Sequence, residues 1–272
     1  MRIFPKRAFA NFLADSGILS VVSFIRGHHR DSLRVLCYHE INQEDVDAFE
    51  AQLLYYKSNY RLITLEQLLD ILVNGKKDYG RCLAVTFDDG HKVNMSTAVP
   101  LLKKHAIPAC FFLNTKPLSA SDREHRDFSV KAHQREHEFV DADEIRALRD
   151  SGFEIGSHTH SHPAMPGIGI EEAEEELRRS KEILEGIIGD KVKFFAFPYG
   201  GKSSISRSVL KVVGKYYDAA FSTFRGFNTA DSDLYCLYRD VMQPLWPLST
   251  VRYYIEGGKD GRTKKKMASM RD

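Results

Sequence analysis

Seven short apolar runs mark the chain from Leu33 onward: LRVLCYHE, CLAVTFDD, ACFFLNT, FEIGSHT, KFFAFPY, DAAFST and LYRDVM. Between most of them lie longer stretches with helical spacing of their apolar residues. Strands that are apolar on both faces must be covered on both sides, and parallel neighbours need a crossover helix. The alternation therefore predicts an α/β fold built from βα units, and seven such runs predict a barrel-like closure.

Helices are expected over 47–58, 64–73, 95–105, 142–151, 169–186 and 204–217. In the fifth, Ala173, Leu177, Leu184 and Ile188 share one face. Glu174 with Arg178 and Glu175 with Arg179 form i,i+4 pairs on the other face, a solvated surface with no functional meaning. Thr64 followed by Gln67 reads as a capping box, and Gly186 or Gly189 as a stop.

With 272 residues, 43% of them hydrophobic, the chain can bury a substantial core. A net charge of +2 offers no electrostatic case for a nucleic-acid partner. Cys37, Cys82, Cys110 and Cys236 each sit in an apolar run without a C-x-x-C partner, as buried free thiols do, which suits a reducing compartment. The apolar stretch GILSVVSFI at 17–25 is shorter than the ~20 residues of a spanning helix. No small-x-small cleavage site follows it before the charges.

Phe9, Phe12, Leu13 and Leu19 predict a helix packed on the main domain, with an interfacial helix as the alternative. The expected organisation is an N-terminal helical extension at 1–32, one globular domain at 33–256, and a solvated basic tail at 257–272. Without a convincing export signal, the expected location is cytoplasmic, with a peripheral contact at the inner membrane as a further option. The polar stretch 119–138, carrying His125, His133 and His137, breaks the βα rhythm and is expected to be an insertion over one end of the barrel. The irregular spacing of its histidines argues against metal ligation.

Catalytic groups of an α/β barrel gather at the carboxyl ends of its strands. One predicted strand there delivers LAVTFDDG, ending in Asp88 and Asp89, whose side chains leave opposite faces. Another delivers FEIGSHTHSHP. His158 and His162 stand four apart and can reach a common point if the chain makes a helical turn, whereas His160 projects elsewhere. Two imidazoles and one carboxylate leave open positions on a divalent ion. The second aspartate, unligated, is then available as general base.

TFDDG, SHTHSH and FAFPYG, in that order, resemble the first three motifs of the polysaccharide deacetylases, the NodB-homology domain of carbohydrate esterase family four. The resemblance spans roughly 33–256 and implies a distorted (β/α)7-type barrel with a catalytic role for that domain. It further implies Asp88 as general base and Asp89, His158 and His162 as metal ligands. The implied cofactor is zinc, with cobalt or nickel as alternatives. Hydrolysis of an N-acetyl group on an amino sugar or glycan is the implied reaction, a backbone N–H near Tyr199 helping to hold the oxyanion. Pro198, Tyr199 and Gly200 match the motif that walls the sugar groove.

VLCYHEI resembles the opening of a subgroup that acts on exopolysaccharide and surface glycan, and it sets His39 at the end of the first strand. Two departures stand out. The common third motif carries an arginine before its proline, where this chain has Phe195, Ala196 and Phe197; the late histidine that supplies the acid is missing, since no histidine follows His162. Arg239 is expected to take the place of that arginine beside Asp88, and His39, or Asp88 once protonated, to supply the acid. Two alternatives remain: a glycan-binding barrel without catalysis, and a hydrolase of another amide or ester, such as a cyclic imide or an acetyl ester.

Overall fold

The computed structural model describes residues 31–119, 127–130 and 136–260. The N-terminal extension through residue 30, most of the basic tail, His125 and His133 lie outside them. All seven apolar runs contain strands: β1 (Ser32–Tyr38), β3 (Arg81–Phe87), β4 (Ala109–Leu113), β5 (Glu154–Ser157), β6 (Phe194–Ala196), β7 (Ala219–Phe221) and β8 (Asp240–Val241). The two-residue β2 (Arg61–Leu62) is additional and pairs with β3.

The strands of the sheet run in the order β7-β6-β5-β4-β3-β1-β8, and every strand pair is parallel. The sheet curls back on itself. Phe221 bridges Leu237, and Leu237 N–H donates to the Ala220 carbonyl at 2.8 Å, so the segment leading into β8 meets β7 while β8 itself pairs with β1. The result is the expected distorted barrel, closed by a short seam.

Strand alternation sorts the core. Leu36, Tyr38, Leu83, Val85 and Phe87 pack outward under the helices. Val35, Ala84, Cys110, Phe112, Ala196 and Phe221 form a second cluster along the inner face. The same period places Thr86 and Asp88 on the inner side.

The helices are α1 (Val46–Asn59), α2 (Leu65–Val73), α3 (Ala98–His105), α4 (Ala142–Asp150), α5 (Ile170–Ile188), α6 (Arg207–Val213) and α7 (Leu248–Ile255). The Thr64–Gln67 capping box is formed reciprocally, both bonds at 3.1 Å. Helix α3 starts at Ala98, after a 3-10 turn, because this puts Pro100 in the first turn, where its missing N–H costs nothing. Helix α6 is shorter than 204–217: Ser206 caps its start and Gly214 follows its end.

Gly189, at φ 67°, ends α5, whose Ala173, Leu177, Leu184 and Ile188 are all buried. On its exposed face Arg178 pairs with Glu175 and Glu182, and Glu174 turns to Lys215 and Tyr216. Helix α7, absent from the expected set, docks on α1. Past Glu256 the chain is still anchored, for the buried Arg34 pairs with both Asp240 and Asp260. All four cysteines are buried free thiols. Among the described residues no helix is long and apolar enough to cross a membrane.

Candidate active site

The register of β1 on β3 ends with Tyr38 opposite Phe87, and the Asp88 N–H donates to the Tyr38 carbonyl at 2.9 Å. His39 and Asp88 therefore leave neighbouring strand tops side by side. Cys37, His39 and Asp88 bring potential ligand atoms within 4.8 Å of one another, the Cys37 thiol donating to Asp88 Oδ2 over 3.3 Å.

Asp88 faces inward and is 2% exposed. Arg239, completely buried in the seam just before β8, donates from Nη1 to Oδ1 at 2.6 Å and from Nη2 to Oδ2 at 2.7 Å. The guanidinium is itself fixed. Its Nε donates to the Ser222 carbonyl at 3.1 Å and Nη1 to Thr86 Oγ1 at 3.2 Å, and its Cζ lies 5.2 Å from the centre of the Phe112 ring. Burial pushes the Asp88 carboxyl up, but Arg239 and then His158 outweigh it and hold it below the ordinary carboxylate value. The position where an arginine was missing from the third motif is apolar here: Phe195 and Phe197 are buried edge to face, 4.9 Å between centroids. Positive charge arrives from the opposite side of the sheet.

Asp89 turns the other way. It takes φ 73° and is followed by Gly90 at φ 76°, a left-handed pair that is costly for aspartate and typical of functional loops. Its Oδ1 lies 3.3 Å from His158 Nε2 and 3.4 Å from His162 Nε2, and the three residues offer ligand atoms all within 4.8 Å of one another. No helical turn joins the two histidines. A bent loop with positive φ at Thr159 (69°) and His162 (57°) brings the rings together, and the His162 N–H donates to Thr159 Oγ1 at 2.9 Å.

The donor set suits a divalent cation of the zinc class. His158 Nδ1 lies 2.8 Å from the Ala196 carbonyl, an acceptor only, so Nδ1 carries the proton and the Nε2 lone pair is directed at Asp89. The Asp89 carboxyl is driven up by burial and, more strongly, well down by its contacts with His158, His162 and His91. Burial lowers His158, yet Asp88 and then Asp89 raise it overall; burial prevails at His162 and lowers it. His160 points away, its Nδ1 2.8 Å from Thr115 Oγ1.

Beyond His162 stands Tyr199, 55% exposed at φ 61°, its ring centroid 4.7 Å from that of His162. Gly200, at φ 56°, lets this turn close: its carbonyl accepts from Thr223 N–H at 2.8 Å, and Thr223 Oγ1 donates to the Tyr199 carbonyl at 3.0 Å. A cavity of about 680 Å³ lined by Lys116, Phe128, His162 and Tyr199 opens on this side. A second, of about 660 Å³, opens on the opposite side, beyond His91. His91 escaped the sequence reading although it follows TFDDG directly; its Nε2 lies 3.3 Å from Asp89 Oδ2.

The family model for polysaccharide deacetylase matches residues 75–217, more than half of the chain. YxkH of Bacillus subtilis (strain 168), named among polysaccharide deacetylases, is 24% identical over 243 residues, 87% of this chain and 81% of that protein. Among solved structures, a polysaccharide deacetylase from Bacillus cereus superposes with a TM-score of 0.66 at 27% identity, covering 83% of this chain and 69% of that one. The Streptococcus pyogenes deacetylase PplD in complex with acetate gives 0.69 at 18% identity over 83% and 99% of the two chains, a likeness of fold.

Proposed function

Because the chain belongs to the polysaccharide deacetylase family, we propose that it is a metal-dependent hydrolase removing N-acetyl groups from an amino sugar in a polysaccharide or glycan precursor. One observation carries the reading: a carboxylate clamped by a buried arginine stands beside an Asp–His–His donor set at the same strand tops. Asp89, His158 and His162 would hold the ion, zinc first and cobalt or nickel as alternatives. When bound, such an ion polarises the acetyl carbonyl and acidifies a water molecule.

Asp88 removes a proton from the attacking water, and the reaction consumes one water to give acetate and a free amine. Arg239 keeps that carboxylate ionised and sets the direction of its free lone pairs; both oxygens are tied to it, so the base cannot swing away. Arg239 acts through Asp88 and is a positioning residue. His39, at the neighbouring strand top, delivers a proton to the leaving amine. Tyr199 offers an exposed ring face to a sugar, and the Pro198–Gly200 turn supplies a backbone N–H toward the oxyanion. Cavities on both sides of the centre suit a chain of sugars better than an isolated monosaccharide.

The test is direct. Protein loaded with zinc or cobalt is offered an N-acetylhexosamine oligomer, an acetyl ester and a cyclic imide, with acetate and amine release followed. Release from the oligomer, lost in Asp88→Asn, is expected. Turnover of the ester or imide alone would move the substrate class, and no turnover of any would favour a glycan-binding barrel.

A further inference from the structure

Glu40, His91 and His137 come from three separate segments and meet on the far side of Asp89. Glu40 follows the top of β1, His91 follows the Asp88–Gly90 turn, and His137 lies on the strip that returns over the barrel mouth before α4. That strip is tied down by backbone bonds: Lys92 N–H donates to the Glu138 carbonyl at 2.8 Å and Val140 N–H to the Gly90 carbonyl at 3.0 Å. The His91–Phe139 bridge between these bonds holds the two histidine rings 4.2 Å apart, centroid to centroid. His137 Nδ1 lies 3.3 Å from Glu40 Oε2, and the three residues offer ligand atoms all within 4.8 Å of one another.

We propose that Glu40, His91 and His137 form a second divalent-cation site of the zinc class, distinct from the Asp89–His158–His162 set. Two imidazoles and a carboxylate are the donor chemistry that zinc and cobalt prefer, and three protein ligands leave a position open for water. His91 is 4% exposed, so the ring is already withdrawn from solvent and oriented. The surrounding cavity, about 660 Å³, is also lined by Glu136, Glu138 and Glu144. Its ammonium group, Lys92, is engaged by Glu144 at 3.1 Å, which leaves an excess of negative charge to favour a cation. His91 touches both sets, its Nε2 3.3 Å from Asp89 Oδ2, so the charge in one site is felt in the other.

The experiment counts ions and needs no substrate. Full-length protein is stripped with a chelator and titrated with cobalt(II), following visible absorption and, after gel filtration, bound metal per chain. Wild type should take two equivalents, and His137→Gln and Glu40→Gln one each. A His158→Gln/His162→Gln double variant should retain one equivalent, and adding His137→Gln to it should abolish binding. A single equivalent in wild type that the His158→Gln/His162→Gln variant loses, or a second equivalent that survives in both His137→Gln and Glu40→Gln, overturns the proposal. Circular dichroism establishes that each variant is folded, and the wild-type count stands without any variant. Because the double variant removes the catalytic set alone, failure of the deacetylase reading and failure of this site give different counts.

Discussion

Arg239 and Asp88, 151 positions apart in sequence, are joined by two parallel hydrogen bonds of 2.6 and 2.7 Å, with Arg239 completely buried and Asp88 2% exposed. A fork-to-fork geometry of this kind holds a carboxylate in one plane and one charge state. Removing either partner would strand a buried charge.

Arg239→Ala is expected to lower turnover by a factor on the order of 10²–10³ and to move the acidic limb of the pH–rate profile to higher pH. The sign follows from the site: burial raises the Asp88 carboxyl, Arg239 lowers it most, and without Arg239 only the weaker pull of His158 and His39 opposes the upward push. Arg239→Lys should restore part of the charge effect and little of the orientation, giving an acidic limb between those of the wild type and the alanine variant. An unchanged profile in the alanine variant would remove Arg239 from the mechanism. Stability to urea should also fall, by about 3–5 kcal/mol.

His39→Gln separates two routes for the proton that reaches the leaving amine. With His39 as donor, kcat should fall by roughly 10²–10⁴-fold and the basic limb of the profile should disappear. A glutamine variant that keeps the wild-type basic limb would assign the step to Asp88 itself, which has just received a proton from water.

Gly200→Ala tests the turn beneath Tyr199. At φ 56° an added Cβ would stand 2.6 Å from Thr223 Cγ2 and 2.7 Å from Thr223 N, so the turn must open. Destabilisation of about 1–3 kcal/mol in urea melts is expected, with a rise in KM larger than the fall in kcat, because Tyr199 and its ring contact move together.

Glu154→Gln addresses stability at the other end of the barrel. The Glu154 carboxylate accepts from the Leu65 and Glu66 N–H groups at 2.8 and 2.9 Å, capping α2. Burial nevertheless outweighs those two bonds and raises the group from 4.5 to about 7. The folded state thus binds this proton more tightly than the unfolded chain does. Its contribution is complete below about pH 4.5 and declines as pH rises through about 7, a loss of about 1–3 kcal/mol. Urea unfolding of wild type from pH 5 to 8 should show that decline, and Glu154→Gln should flatten it.

Much of this architecture can be read from the chain because the strands are apolar on both faces and the helices are not. The seven apolar runs and the capping box at Thr64 are local signals, and the structure has both. Helix α7 carried no comparable signal: it starts after Pro247 and its stripe is short. TFDDG and SHTHSH could be singled out because neither has a place in an apolar core. What the local pattern could not show was the way His158 and His162 meet, which depends on left-handed backbone at Thr159 and His162, residue types that give no warning of it. The irregular spacing of His137 argues against ligation and Glu40 gives no signal, for a different reason: they meet His91 only after residues 137–140 pair with the strip behind Gly90, a long-range event.

The short seam at Leu237 and the arginine that follows it two residues later bind assembly to chemistry. Until the last strand has slotted between its neighbours, the Asp88 carboxylate lacks the guanidinium that grips both of its oxygens. A chain clipped before Leu237 would carry Asp89, His158 and His162 and still lack the guanidinium that grips Asp88. Closing the wall of the barrel and fixing the Asp88 carboxylate are thus one event, because the residue that fixes it arrives with the closing segment.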